Sequence, residues 1–152
     1  MTEYDPATDS SRLAAAAHEL AHAIGFRRAG VSITEIRVKG RGAAVHGWVY
    51  VPGNQKIRDP RGYLVAVMAG RAGDLRWADE HGQHPLPART CDDDMTEARK
   101  LLREWELKKD HSKRELQVAA RSLVRAHWRH IVRLVPELAA HGRLSPSRIP
   151  SA

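Results

Sequence analysis

The chain has 152 residues, 42% hydrophobic and 28% charged, a composition that suits one globular domain with a buried core. One cysteine, Cys91, excludes an internal disulfide, and no run approaches the roughly 20 apolar residues of a membrane span. A net charge of +7 favours acidic partners, while the acidic, polar stretch from Met1 to Ser10 is unlike a secretory signal, so the expected compartment is the cytoplasm.

In chain order, Ser10 and Ser11 read as N-caps of a first helix and Gly30 as its stop. The segment between, Leu13 to Phe26, is apolar almost all round, which predicts burial. From Val31 the period changes to β-type. Val31, Ile33, Val38, Trp48 and Tyr50, punctuated by Gly40, Gly42 and Gly47, predict two short antiparallel strands. Asp59-Pro60 is a capped helix start, and the helix it opens stops by Gly82. Its centre, Ala69-Gly70-Arg71-Ala72-Gly73, is small enough for the first helix to pack closely against it. Asp92, Asp93 and Asp94 open a further helix with Met95, Ala98, Leu102 and Trp105 on one face. A last helix carries Leu116, Ala120, Leu123, Ile131, Leu134 and Leu138, and residues 145–152 read as a loose tail. The expected organisation is a tail over 1–10, one domain over 11–144 and a tail over 145–152.

Arg121, Arg125, Arg129 and Arg133 recur every fourth residue, which makes one basic stripe on the last helix. A solvated outer face is the favoured reading of it, ahead of a surface for nucleic acid or another acidic partner.

The chemistry lies in His18-Glu19-Leu20-Ala21-His22, an H-E-x-x-H pattern inside the first helix. Side chains at i and i+4 share a helix face, so both imidazoles can reach one Zn²⁺, with Glu19 beside them as general base. Burying three such polar groups without a metal would be costly. A third ligand must come from elsewhere, and Arg28 stands where a metzincin has its third histidine. Glu35, His46, Asp74, His81, His84 and the aspartates at 92–94 remain open for that place. Cys91 has no visible histidine partner and reads as a bystander.

Four segments together resemble the peptidase domain of the FtsH-type ATP-dependent zinc proteases. They are Ala17 to Ala23, Ile36 to Tyr50 with its closing Gly47-Trp48-Val49-Tyr50 strand, Val67 to Asp74, and Asp93-Asp94-Met95-Thr96-Glu97-Ala98. The resemblance spans roughly residues 12 to 142. It implies a mainly helical α+β, zincin-like metallopeptidase domain with a small antiparallel sheet. It also implies Asp94 as the third zinc ligand beside His18 and His22. Departures are Ala21 before the second histidine, where the family has glycine, Gly73 for an alanine, and Asp74 for a glutamate. Asp74 is a candidate for orienting a ligand histidine.

No G-x-x-x-x-G-K-[ST] phosphate loop occurs in these residues, so the expected activity is ATP-independent cleavage of flexible or unfolded polypeptides. A separate ATPase would be the partner for folded substrates, and a homo-oligomer is a further expectation. The edge around Val45, His46, Gly47 and Trp48 is expected to pair with an extended substrate. The rival reading is a non-cleaving adaptor that keeps the fold and binds partners through its basic face.

Overall fold

The structure, a computed structural model, describes residues 3–87, 100–101, 103–104 and 112–150. The helix expected from Asp92 to Trp105 has its opening aspartates and its apolar face outside the described residues, as does Cys91. The remainder is an α+β fold, dominated by helices and carrying a small antiparallel sheet. No helix among the described residues is long and apolar enough to cross a membrane.

Helix α1, Ser10–Arg28, is buried along nearly its whole length, from Ala14 to Phe26. Its cap is Asp9, one residue before the expected serines. Asp9 Oδ1 accepts from the N–H groups of Ser11 (3.0 Å) and Arg12 (3.3 Å). A carboxylate there meets the positive end of the helix dipole, which a serine hydroxyl serves less well. Burial alone would raise the Asp9 pKa. Hydrogen bonds from Gly42, Tyr4, Arg12 and Ser11 outweigh it and hold the value below the ordinary 3.8. A depressed carboxylate stabilises the fold above its unfolded pKa, and the benefit fades as pH falls through the folded value. Asp9→Ala should therefore cost about 1 kcal/mol in thermal melts at pH 7. Its deficit against wild type should begin to narrow as pH falls below about 3.8, the ordinary value, and should close further as pH passes through the lower folded value, where the native carboxylate takes up its proton.

Helix α2, Pro60–His81, starts as expected: Asp59 accepts from Gly62 N–H at 2.9 Å, and Gly82 closes the helix at φ 59°. It packs on α1 through its small centre. A Cβ on Gly73 would lie 2.7 Å from both the Ala17 carbonyl oxygen and Ala21 Cβ. Each mid-helix glycine lowers helix propensity by roughly 1 kcal/mol, and the close approach of α1 offsets that loss.

The sheet has three strands, β1 (Glu35–Lys39), β2 (His46–Tyr50) and β3 (Arg143–Leu144), in the order β2-β1-β3, all antiparallel. Val31 and Ile33, expected within the first strand, are buried in the connection before it. Two-residue β3 had no sequence signal of its own. It pairs Leu144 with Ile36 and Arg143 with Arg37. Ile36, Val38 and Leu144 are buried.

The expected last helix is two helices, α3 (Lys113–Ala126) and α4 (Trp128–His141). At His127 the backbone opens to ψ 13°, and its N–H is shared between the Leu123 and Val124 carbonyls. The apolar stripe continues across the break, from Ala120 and Val124 to Trp128 and Ile131. The turn delivers the Trp128 indole N–H to Glu80 at 2.7 Å. Arg121, Arg125, Arg129 and Arg133 are all exposed.

The C-terminal stretch is not loose through Pro150. Ser145 caps a 3-10 turn over Pro146–Arg148, and Ile149 is buried in the core. Arg148 pairs with Glu137 at 2.6 Å. Buried Arg12 fastens the assembly, donating to the carbonyls of Ala139 (2.8 Å) and Gly40 (2.7 Å).

Candidate metal centre

His18 and His22 lie one turn apart on α1, both buried, with their Nε2 atoms 2.9 Å apart. Each ring is fixed from behind. His18 Nδ1 meets Asp74 Oδ2 at 2.7 Å, and His22 Nδ1 meets the Ala66 carbonyl oxygen at 2.8 Å. Both partners are acceptors, so they select the tautomers that carry the proton on Nδ1. Two Nε2 lone pairs then face one another, and such a contact requires a proton or a cation between them. A tetrahedral zinc site places its ligand atoms roughly 3–4 Å apart, close to the spacing here.

A glycine lies directly against the two Nε2 atoms. A Cβ on Gly70 would come within 2.6 Å of His18 Nε2 and nearer still to His22 Nε2. Only backbone without a side chain can approach the converging nitrogens so closely. On donor chemistry, the two imidazoles fit a divalent cation.

Asp74 is fully buried and divides its two oxygens. Oδ2 receives His18 Nδ1–H, and Oδ1 accepts from the Arg71 guanidinium at 3.0 Å. The same Arg71 nitrogen also donates to the Leu86 carbonyl, which ties the segment after α2 to the site. A carboxylate–histidine pair of this kind fixes ring orientation and raises the basicity of Nε2. Full burial sets Asp74 apart from a solvent-facing helix acid. Arg71 was not among the residues the sequence singled out, although its i, i+3 spacing to Asp74 was legible. The Ala66 carbonyl has no sequence signature at all.

Glu19 is buried where α1 passes under β2. A Cβ on Gly47 would lie 2.8 Å from Glu19 Cγ and 3.2 Å from its Oε1. Of the other expected substrate-strand residues, Val45 directly precedes β2, while His46 and Trp48 stack at 5.8 Å. The far side of β2 is an open edge, with no strand beside it among the described residues. Val38 N–H bonds the Gly142 carbonyl at 3.0 Å, which turns the backbone groups of Ile36 and Val38 toward β3. Antiparallel alternation then leaves the backbone groups of Gly47 and Val49 facing the open edge.

Of the alternatives for a third ligand, Glu35 pairs with Arg37 at 3.1 Å and His46 is exposed. His81 bonds the Trp77 carbonyl at 2.9 Å, and His84 is exposed. Among the described residues no group of three His, Cys, Asp or Glu side chains is placed to hold a metal ion. Asp92, Asp93 and Asp94 lie outside the described residues. Compared with known proteins, the sequence matches no family model and no curated protein.

Proposed function

We propose that this chain is a zincin-like, zinc-dependent peptidase that cleaves flexible polypeptide segments. One observation carries the reading: two buried histidines converge through Nε2 against the bare backbone of Gly70, on the helix that also holds Glu19 against the open-edged β2. His18 and His22 would hold the metal through Nε2. The FtsH-type resemblance adds Asp94 as the third ligand, and that assignment rests on the resemblance alone.

Zinc bound there supplies Lewis acidity toward water and toward a peptide carbonyl. Glu19 accepts the proton of the attacking water on its carboxylate and returns it to the departing amine nitrogen. Asp74 and the Ala66 carbonyl keep both Nδ1 atoms protonated, so neither ring turns its Nε2 away. The outward backbone groups of Gly47 and Val49 align an extended segment alongside Glu19, in the manner of strand addition. Gly47 is the residue that lets β2 lie so close to the general base.

The test is metal analysis of the purified chain together with hydrolysis of a labelled, chemically unfolded protein. Hydrolysis should disappear on chelation and return with zinc. ATP should leave the rate unchanged, since these residues contain no phosphate-binding loop. A chain that stays active after complete removal of metal would end the proposal.

A further inference from the structure

The outer face of the sheet, turned away from α1, carries Arg37, Lys39 and Arg143 beside Trp48 and Tyr50, with Glu35 as its carboxylate. Register sets Arg37 directly opposite both Trp48 and Arg143, and Lys39 opposite His46. Two arginines facing each other across neighbouring strands destabilise a sheet. Among the described residues Arg37 also has its Nε buried with no hydrogen-bond partner, while its Nη1 donates to Glu35. Lys39 has no carboxylate against it among the described residues, and its ammonium lies 5.6 Å from the Trp48 ring centre. The Arg37 guanidinium lies 5.8 Å from the same ring. Both cations therefore gather at the ring of Trp48, a residue of the strand that carries the open edge. Among the described residues of the three strands, this face sets one carboxylate, Glu35, against the three cations Arg37, Lys39 and Arg143.

We propose that the open edge of β2 selects extended acidic polypeptide segments, whose Asp and Glu side chains meet Lys39 and Arg37 over the outer face. This deepens the peptidase reading and rests on β2 being the lane for substrate. A strand added beside β2 lies about 4.8 Å from it, and every second side chain projects onto the outer face. Those side chains flank His46, Trp48 and Tyr50, on the face where the Arg37 and Lys39 cations gather at the Trp48 ring. The intervening side chains point to the opposite face, where Gly47 and Glu19 meet. Charge thus sets which segments dock, while the backbone groups of Gly47 and Val49 set their alignment. Single-stranded nucleic acid could use cations and aromatic rings too. It offers no backbone hydrogen bonds matched to a strand edge, and Trp48 is already covered by two cations and His46.

The experiment uses the full chain with Glu19→Gln, so that bound peptide is not consumed. Fluorescence anisotropy compares a short peptide bearing glutamate at alternate positions with the same peptide bearing lysine. The glutamate peptide should bind more tightly, and added salt should weaken it. Adding Lys39→Glu should weaken the glutamate peptide roughly fivefold and strengthen the lysine peptide. Melting temperature checks that the exposed Lys39 change leaves the fold intact. Equal affinity for the two peptides would overturn the proposal, as would binding of oligo(dT) with neither peptide bound. With wild-type chain, equal cleavage of both peptides would reject the acidic selectivity and leave the peptidase reading standing. Acid-selective binding without any cleavage by the zinc-loaded wild type would reject the peptidase reading and leave the surface standing.

Discussion

Glu19→Gln is expected to retain zinc and to lose hydrolysis of unfolded polypeptide by about 10²–10⁴-fold, the usual contribution of a positioned general base. Glutamine has nearly the shape of glutamate, so it fits the buried place against Gly47 without repacking. It also leaves both imidazoles and their Asp74 and Ala66 partners untouched. What it removes is the oxygen proposed to take the proton from water. Metal content and melting temperature should match wild type while turnover collapses. A variant that cleaves at the wild-type rate would remove Glu19 from the mechanism. A variant that loses its zinc would show Glu19 acting on the metal rather than on the proton.

That prediction depends on features of unequal legibility. The pair His18 and His22 needed only helical spacing, and a helix that is apolar on every side is hard to misread. Asp59-Pro60 and Gly82 bounded α2 because each satisfies a specific need of a helix end: an acceptor, a fixed φ, a left-handed stop. The small run from Ala69 to Gly73 foretold close packing, but not that Gly70 would face imidazole nitrogens. Which residue a glycine clears space for is a tertiary fact. The Ala66 carbonyl is more hidden still, because every residue has a carbonyl. Likewise β3 owes its existence to the open side of β1, and two residues carry no period of their own. The break at His127 left the hydrophobic repeat intact, so periodicity read one helix where there are two. Ile149 looked like tail because Pro146 and Pro150 flank it, yet one buried aliphatic side chain suffices to anchor a short turn.

Gly70→Ala should lower zinc affinity on the order of 100-fold, although alanine is the better helix former. Propensity alone would favour alanine by roughly 1 kcal/mol. The added methyl, however, falls within 2.6 Å of His18 Nε2 and closer to His22 Nε2, where a bound cation and its ligands need room. The rings cannot simply swing aside, since their Nδ1 atoms are fixed by Asp74 and the Ala66 carbonyl. Displacing a ligand ring also breaks those hydrogen bonds, and loss of such outer partners costs about 10–100-fold in metal affinity. Gly73→Ala is the matched control. Its methyl strikes the Ala17 carbonyl and Ala21 Cβ, away from the imidazoles. Overpacking there should cost about 1–3 kcal/mol of stability while zinc still binds. Chelator competition reads the affinities, and thermal melts of the metal-free proteins separate packing damage from site damage. If Gly70→Ala held zinc as tightly as wild type, the pair of Nε2 atoms against Gly70 would not be where the metal sits.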